Sequence, residues 1–146
     1  MFSLAAYKVL HVLGILFMFM ALGGLLVASR STGDGAADRK RAGMLHGIGL
    51  VIILISGFGL LARYGISNPG IWPMWVWGKA LLWIVFGASL MLIKRAPGMR
   101  TLLWILLPVL GAFAAYLALY KPGSAAPLEP VSHLERSSPD LTLTLS

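Results

Sequence analysis

Three titratable side chains lie within otherwise apolar stretches of the sequence: His11, His46 and Lys79. An ionisable group is costly to bury at membrane depth, so such residues usually serve a function. Imidazole and a neutral amine can both ligate iron, and burial without a carboxylate counter-ion favours an uncharged lysine. The apolar stretches contain no Asp or Glu. These residue types therefore favour iron ligation over carboxylate chemistry.

The composition is typical of a membrane protein. Of 146 residues, 58% are hydrophobic and 12% are charged, and the mean hydropathy is +0.84. There is no cysteine, which excludes disulfides, thiolate metal sites and covalent c-type haem. The net charge of +7 comes from basic residues in short turns rather than from a basic face, so we expect no nucleic-acid partner.

Four apolar segments predict an all-α fold, an antiparallel bundle of four transmembrane helices. Each segment has about the 20 residues that a helix needs to cross a bilayer. We predict a transmembrane domain over residues 1–122 and a disordered tail over 123–146, where prolines, serines and charges replace apolar residues. The predicted helices span about 4–28, 43–62, 72–93 and 101–120.

The basic residues also predict the orientation of the bundle. Loop two carries one, Arg63, whereas turns one and three carry seven: Arg30, Arg39, Lys40, Arg41, Lys94, Arg95 and Arg100. The positive-inside rule then places turns one and three in the cytoplasm and both termini outside it. We expect an integral protein of a bacterial inner membrane. Its partners would be the lipid bilayer and either a membrane protein or a second copy of this chain.

Depth determines which titratable residues can meet. His11 and Lys79 each follow the start of a predicted helix by seven residues, about 10 Å below the outer boundary. His46 lies three residues into a helix of opposite direction, which puts it about 15 Å away from them in depth. An axial pair of His11 and His46 is thus excluded. The candidate cofactor-binding residues and haem-iron ligands are His11 and Lys79, with Trp83 and Phe86 as an aromatic wall.

Each of these residues has an alternative interpretation. The Lys79 side chain can extend to the outer interface, where Trp72, Trp75 and Trp77 resemble an aromatic belt. His11 can donate a hydrogen bond to a carbonyl of a neighbouring helix. His46 fits a structural position at the inner headgroup level, beside the basic cluster. Trp83 and Phe86 are also typical of a bundle core, and the glycines of helix two favour close packing of helices.

Several of these residues form motifs. Lys8-Val9-Leu10-His11 resembles the K-x-x-H signature of the SirB, CopD and HemJ-type families, and Trp75-x-x-x-Lys79 resembles the W-x-x-x-K of their later helix. His46 followed by Ser56-Gly57 looks most like SirB. The resemblance implies a four-helix membrane bundle. The HemJ-type branch implies b-type haem bound near the histidine and lysine, with protoporphyrinogen oxidation as its activity, but helix two here lacks the residues of that branch. Resemblance to CopD implies copper handling. Resemblance to SirB implies a membrane location with no settled chemistry.

Two functions therefore remain open. The first is a redox protein that binds haem b between helices one and three, with His11 and Lys79 as axial candidates. The second is a non-enzymatic structural or accessory subunit of a membrane complex. No catalytic residue is identified by the sequence, because it contains no paired carboxylates, HExxH or P-loop.

Overall fold

Helices dominate the computed structural model, which describes residues 2–28, 35–66 and 68–122. In hydrocarbon, backbone polar groups must be satisfied within the protein, and a helix does this within a single segment. In the described ranges four helices are long and apolar enough to cross a membrane, and there is no strand. The predicted all-α, four-helix fold is confirmed. The helices are α1 (Leu4–Ala28), α2 (Ala36–Arg63), α3 (Met74–Arg95) and α4 (Arg100–Tyr120).

The helix boundaries differ from the predicted ones mainly in α2. This helix begins at Ala36, seven residues before the predicted start, because the basic cluster forms its first turns instead of a loop. α3 begins two residues later than predicted, after Pro73 in an extended conformation. The predicted tail, 123–146, and most of the first turn, 29–34, lie outside the described residues.

α2 ends in a Schellman motif. The Gly65 N–H donates to the Ala62 carbonyl at 3.1 Å, and the Ile66 N–H donates to the Leu61 carbonyl at 2.9 Å. Gly65 has a φ of 73°, a left-handed conformation that glycine adopts without steric cost. Ile66 is buried and packs in the core. The chain therefore turns sharply at the end of α2 and leads to α3 through a short 3₁₀ helix, Pro69–Ile71.

α1 and α2 pack together more extensively than any other pair of helices. A Cβ atom at Gly14 would lie 2.9 Å from the carbonyl oxygen of Gly49, and one at Gly49 would lie 2.8 Å from the carbonyl oxygen of Gly14. The two backbones are thus in direct contact, as small residues allow in membrane helix pairs. Tyr7 meets Gly59 further along the same antiparallel seam.

The other helices complete the bundle through larger side chains. Phe19 of α1 packs edge-to-face on Phe86 of α3, with ring centroids 5.4 Å apart. Trp83 of α3 donates its indole N–H to the Leu50 carbonyl of α2 at 3.1 Å. Many large apolar side chains point outward from all four helices, as expected for surfaces that face lipid.

The glycine contact predicts a contrast between two substitutions on α2. Gly49→Ala would push a methyl group against the backbone of α1, and we expect a loss of about 1–3 kcal/mol in unfolding free energy. Gly47→Ala adds the same methyl group where no atom lies within 4 Å, so it should stay within about 1 kcal/mol of the parent protein. Thermal unfolding in detergent measures both, and equal stability of the two variants would contradict direct backbone contact.

Candidate functional site

His11 is held by a hydrogen bond across the seam between α1 and α2. Its Nδ1 lies 3.0 Å from the Ser56 Oγ. The Ser56 hydroxyl has one proton, which it donates to a carbonyl of its own helix, with Ile52 O at 2.6 Å and Ile53 O at 3.2 Å. Nδ1 must therefore carry a proton and donate to Ser56. In the neutral imidazole this leaves the lone pair on Nε2 free to accept a hydrogen bond or bind a metal.

The surroundings of His11 keep the imidazole in place. Ser56 is 1% exposed, and a Cβ atom at Gly57 would lie 3.7 Å from His11 Cε1, so the ring edge packs closely on α2. His11 itself is half-buried. The expected hydrogen bond to a neighbouring helix exists: the Ser56 hydroxyl accepts it, and the backbone carbonyl of Ile53 on the same helix also interacts with the ring.

Lys79 lies at the same end of the bundle as His11. The two side chains are close enough to interact electrostatically, and Lys79 interacts likewise with Lys121 at the end of α4. Its Nζ is 5.3 Å from the centroid of the Trp75 ring, one turn nearer the start of α3. This cation–π contact directs the amine toward the end of the bundle where α1 and α3 begin, which fits the snorkelling interpretation.

His46 occupies the interior of the bundle. It is 1% exposed, and the backbone carbonyls of Met18, Phe86 and Gly87 surround its ring. Met18 lies ten residues before the end of α1 and Phe86 nine before the end of α3, so the neighbours of His46 are in the middle of their helices. The predicted position three residues into helix two is wrong, because α2 begins at Ala36, ten residues before His46. The location of His46 at the inner headgroup level stays a prediction.

The two histidines are nonetheless far apart. His46 and Ser56, the partner of His11, are ten residues apart on α2, which corresponds to about 15 Å along the helix axis. That separation is too large for two axial ligands of one haem iron. Neither ring nitrogen of His46 makes a hydrogen bond with a described residue, although backbone carbonyls lie nearby.

The two candidate aromatic residues take part in helix packing. Trp83 bridges α3 to α2 through its hydrogen bond to Leu50, and Phe86 is buried against Phe19. Both contacts fit the interpretation of these residues as bundle core. In the ranges 2–28, 35–66 and 68–122, no three His, Asp or Glu side chains converge on one point where a metal ion could bind.

Sequence reasoning missed Ser56 as the partner of His11. Two signals in the sequence pointed to it. Ser56 is a hydroxyl residue within an apolar helix, and it lies at the same depth as His11: it is seven residues before the end of α2, and His11 is seven residues after the start of α1. No protein-family model matches the chain, and no curated protein or solved structure is significantly similar to it. The site is thus interpreted from its own geometry.

The unpaired nitrogens of His46 predict an unusual response to substitution. His46→Leu fills a similar volume and removes two buried polar atoms that lack partners, each of which costs about 1–3 kcal/mol, so stability should stay equal or rise. His46→Ala removes the same atoms but leaves a cavity, so we expect it to be less stable than His46→Leu. Detergent melting curves of both variants check this order. A large loss in His46→Leu would indicate that the ring binds something essential to the fold.

Proposed function

We propose that this protein is a small integral membrane protein that binds b-type haem between α1 and α3 in a redox role. The observation that carries the proposal is the hydrogen bond from His11 Nδ1–H to Ser56, which fixes the ring and leaves Nε2 as an electron-pair donor. Histidines that bind metals usually donate their other ring N–H to a fixed acceptor in this way. Bound haem would supply one-electron iron chemistry.

Lys79 is the proposed second ligand. It lies at the same end of the bundle as His11, and within the described residues the only carboxylate, Asp38, pairs with Arg41 at 3.6 Å on the exposed surface of α2. Among the described residues Lys79 therefore has no acidic partner that would keep it charged. To reach iron its amine must leave the Trp75 ring, a contact that contributes about 0.5–2 kcal/mol.

The interface between α1 and α3 supports this location. α1 contacts α3 far less extensively than it contacts α2, so a planar group meets less backbone packing there. The resemblance to SirB, CopD and HemJ-type proteins is consistent with the same pair of residues, since Lys8-x-x-His11 and Trp75-x-x-x-Lys79 contain both. We place the site near the outer face of a bacterial inner membrane, with both termini outside the cytoplasm.

A second candidate is a non-enzymatic accessory subunit. The observation that favours it is the open space around Gly23, Gly24 and Gly47, where an added Cβ would have no neighbour within 4 Å. Glycines at a helix surface allow a second helix to approach closely. A membrane-protein partner or another copy of this chain would then cover α1 and α2 at these positions.

The haem proposal predicts a specific set of spectra. With haem supplied, the purified protein should show a Soret band that His11→Ala abolishes and Lys79→Met abolishes or strongly shifts. Ser56→Ala keeps the ligand but frees its ring, so haem affinity should fall about 10- to 100-fold while a shifted band remains at saturation. His46→Leu is the matched control, since it removes a buried histidine outside the site, and it should leave the band unchanged.

Lys79→Arg separates ligation from snorkelling. Arginine keeps a cation beside Trp75 but does not lose its proton, so it cannot replace a lysine ligand. We expect a shifted band in Lys79→Arg. An unchanged band in Lys79→Arg would dismiss lysine ligation and leave His11 as the single ligand. If the parent protein shows no band with excess haem, the accessory-subunit function is favoured instead.

The proposed orientation can be tested because the chain contains no cysteine, so single cysteines can be introduced without background. Ile71→Cys lies in the exposed loop between α2 and α3, and Gly98→Cys lies in the exposed turn between α3 and α4. A membrane-impermeant maleimide should label Ile71→Cys in whole cells and Gly98→Cys only after permeabilisation. The opposite pattern would invert the orientation and place His11 near the cytoplasmic face.

A further inference from the structure

Three cationic side chains lie at the His11 end of the bundle, where α1 and α3 begin and α2 and α4 end. Arg63 is the last residue of α2, Lys79 lies in the second turn of α3, and Lys121 directly follows α4. Lys79 interacts electrostatically with both His11 and Lys121. All three cationic side chains are half-buried, so each keeps a part that a bound molecule can reach. Three different helices therefore contribute positive charge to this end.

Lys121 has an unusual backbone conformation. Its φ of 43° is the only left-handed value of a non-glycine residue in the described ranges. Glycine adopts this conformation without the steric strain that a lysine has there, and such strain is found most often at functional sites. The Lys121 Nζ lies 4.4 Å from the centroid of the Tyr64 ring, next to Arg63 in the sequence. The strained residue thus holds a cation beside the end of α2.

Arg63 lies on the face of α2 that packs against α1. Gly49, Ser56 and Arg63 follow one another at intervals of seven residues, which places them on one side of the helix. Gly49 contacts the backbone of α1 and Ser56 contacts His11. Arg63 continues this line about 10 Å beyond Ser56. Since arginine does not lose its proton in proteins, Arg63 is a permanent cation above the His11 site.

No acidic residue in the ranges 2–28, 35–66 and 68–122 balances these cations. Asp38, the one carboxylate there, pairs with Arg41 near the start of α2, at the opposite end of the bundle. Lys79 is uncharged if it binds iron, as proposed above, but Lys121 and Arg63 keep their charges. Two cations are therefore left for an anionic group from outside the described chain.

Haem has a distribution of charge that matches this end of the bundle. Its macrocycle is apolar, and its two propionate carboxylates lie at the same edge. A carboxylate is costly to bury in an apolar interior unless a cation pairs with it. His11 is about 10 Å below the start of α1, and the opposite direction leads into the apolar core around Met18 and Phe86. The propionate edge of a bound haem therefore faces the end that carries the two cations.

We infer that Lys121 and Arg63 bind the two propionate carboxylates of haem. The inference rests on the proposed haem function and extends it, because it assigns the residues that orient the cofactor and select it. Pairs of a cation and a carboxylate form strong, charge-assisted hydrogen bonds. The site thus prefers a tetrapyrrole with free carboxylates at one edge over one whose carboxylates are blocked.

The test compares haem with its dimethyl ester, which has the same iron and macrocycle but no free carboxylate. Each is titrated into the purified full-length protein in the same detergent, and the Soret band gives the two dissociation constants. We expect Lys121→Gln to weaken haem binding about fivefold and the double variant Lys121→Gln with Arg63→Gln roughly 25-fold. Binding of the ester should stay unchanged in both variants, which also shows that they fold and keep their iron ligands.

Two further variants make the test specific. Lys40→Gln removes the same charge at the other end of the bundle and should change neither affinity more than about twofold. Lys121→Arg keeps a cation that can bind a carboxylate, so it should retain the preference for haem over the ester. Equal weakening of haem and ester in Lys121→Gln would show a structural role and overturn the inference. Equal effects of Lys121→Gln and Lys40→Gln on haem binding would also overturn it.

The outcomes distinguish this inference from the proposed function. If neither haem nor its ester gives a Soret band in the parent protein, the proposed function is wrong and the inference is overturned with it. If both bind, and the ratio of their dissociation constants is the same in the parent protein and in the double variant, only the assignment of Lys121 and Arg63 is overturned.

Discussion

The direct contact between the backbones of α1 and α2 is the constraint on which the site depends. Gly14 and Gly49 approach so closely that neither position can accept a Cβ atom without movement of a helix. About one turn from Gly14 on α1 and two turns from Gly49 on α2, the same seam brings Ser56 within hydrogen-bond distance of His11. A looser seam would separate these two side chains and release the imidazole to rotate. The close packing of the two glycines thus keeps Ser56 in place as the acceptor of the Nδ1–H of His11, and this hydrogen bond sets the tautomer of a potential ligand.

The two ends of the bundle differ in chemistry because the helices are antiparallel. α1 and α3 begin at one end, and α2 and α4 begin at the other. At one end are Trp72, Trp75 and Trp77, the half-buried His11 and the cation of Lys79 over Trp75. At the other end, helix starts and basic turns surround a cavity. Between them His46 is enclosed by carbonyl groups without a hydrogen bond. The bundle therefore separates an electron-pair donor at one end from a cluster of basic side chains at the other.

The sequence was sufficient to predict the helices, because a hydrocarbon solvent permits few alternatives and the length of each apolar segment is diagnostic. It predicted α1 as Leu4–Ala28, as observed. It placed the start of α2 too late, since charge suggested a loop although Arg39 and Lys40 are compatible with a helix in water. The burial of His46 was not predictable, because it depends on the rotation of each helix about its axis, which nearly uniform apolarity leaves undetermined. The sequence could place Ser56 at the depth of His11, but for the same reason it could not show that the two side chains face each other.

The early start of α2 has a consequence for how the protein fits its membrane. With 28 residues α2 is about 42 Å long, whereas α4, with 21 residues, is close to the thickness of a hydrocarbon core of about 30 Å. α2 must therefore tilt or project from the bilayer by several ångströms. If α2 projects at its start, its basic first turns would extend beyond the lipid on that side. The mismatch between the length of α2 and the thickness of the bilayer then depends on the membrane. A thicker bilayer would draw the first turns of α2 toward the acyl chains, and a thinner one would expose them further.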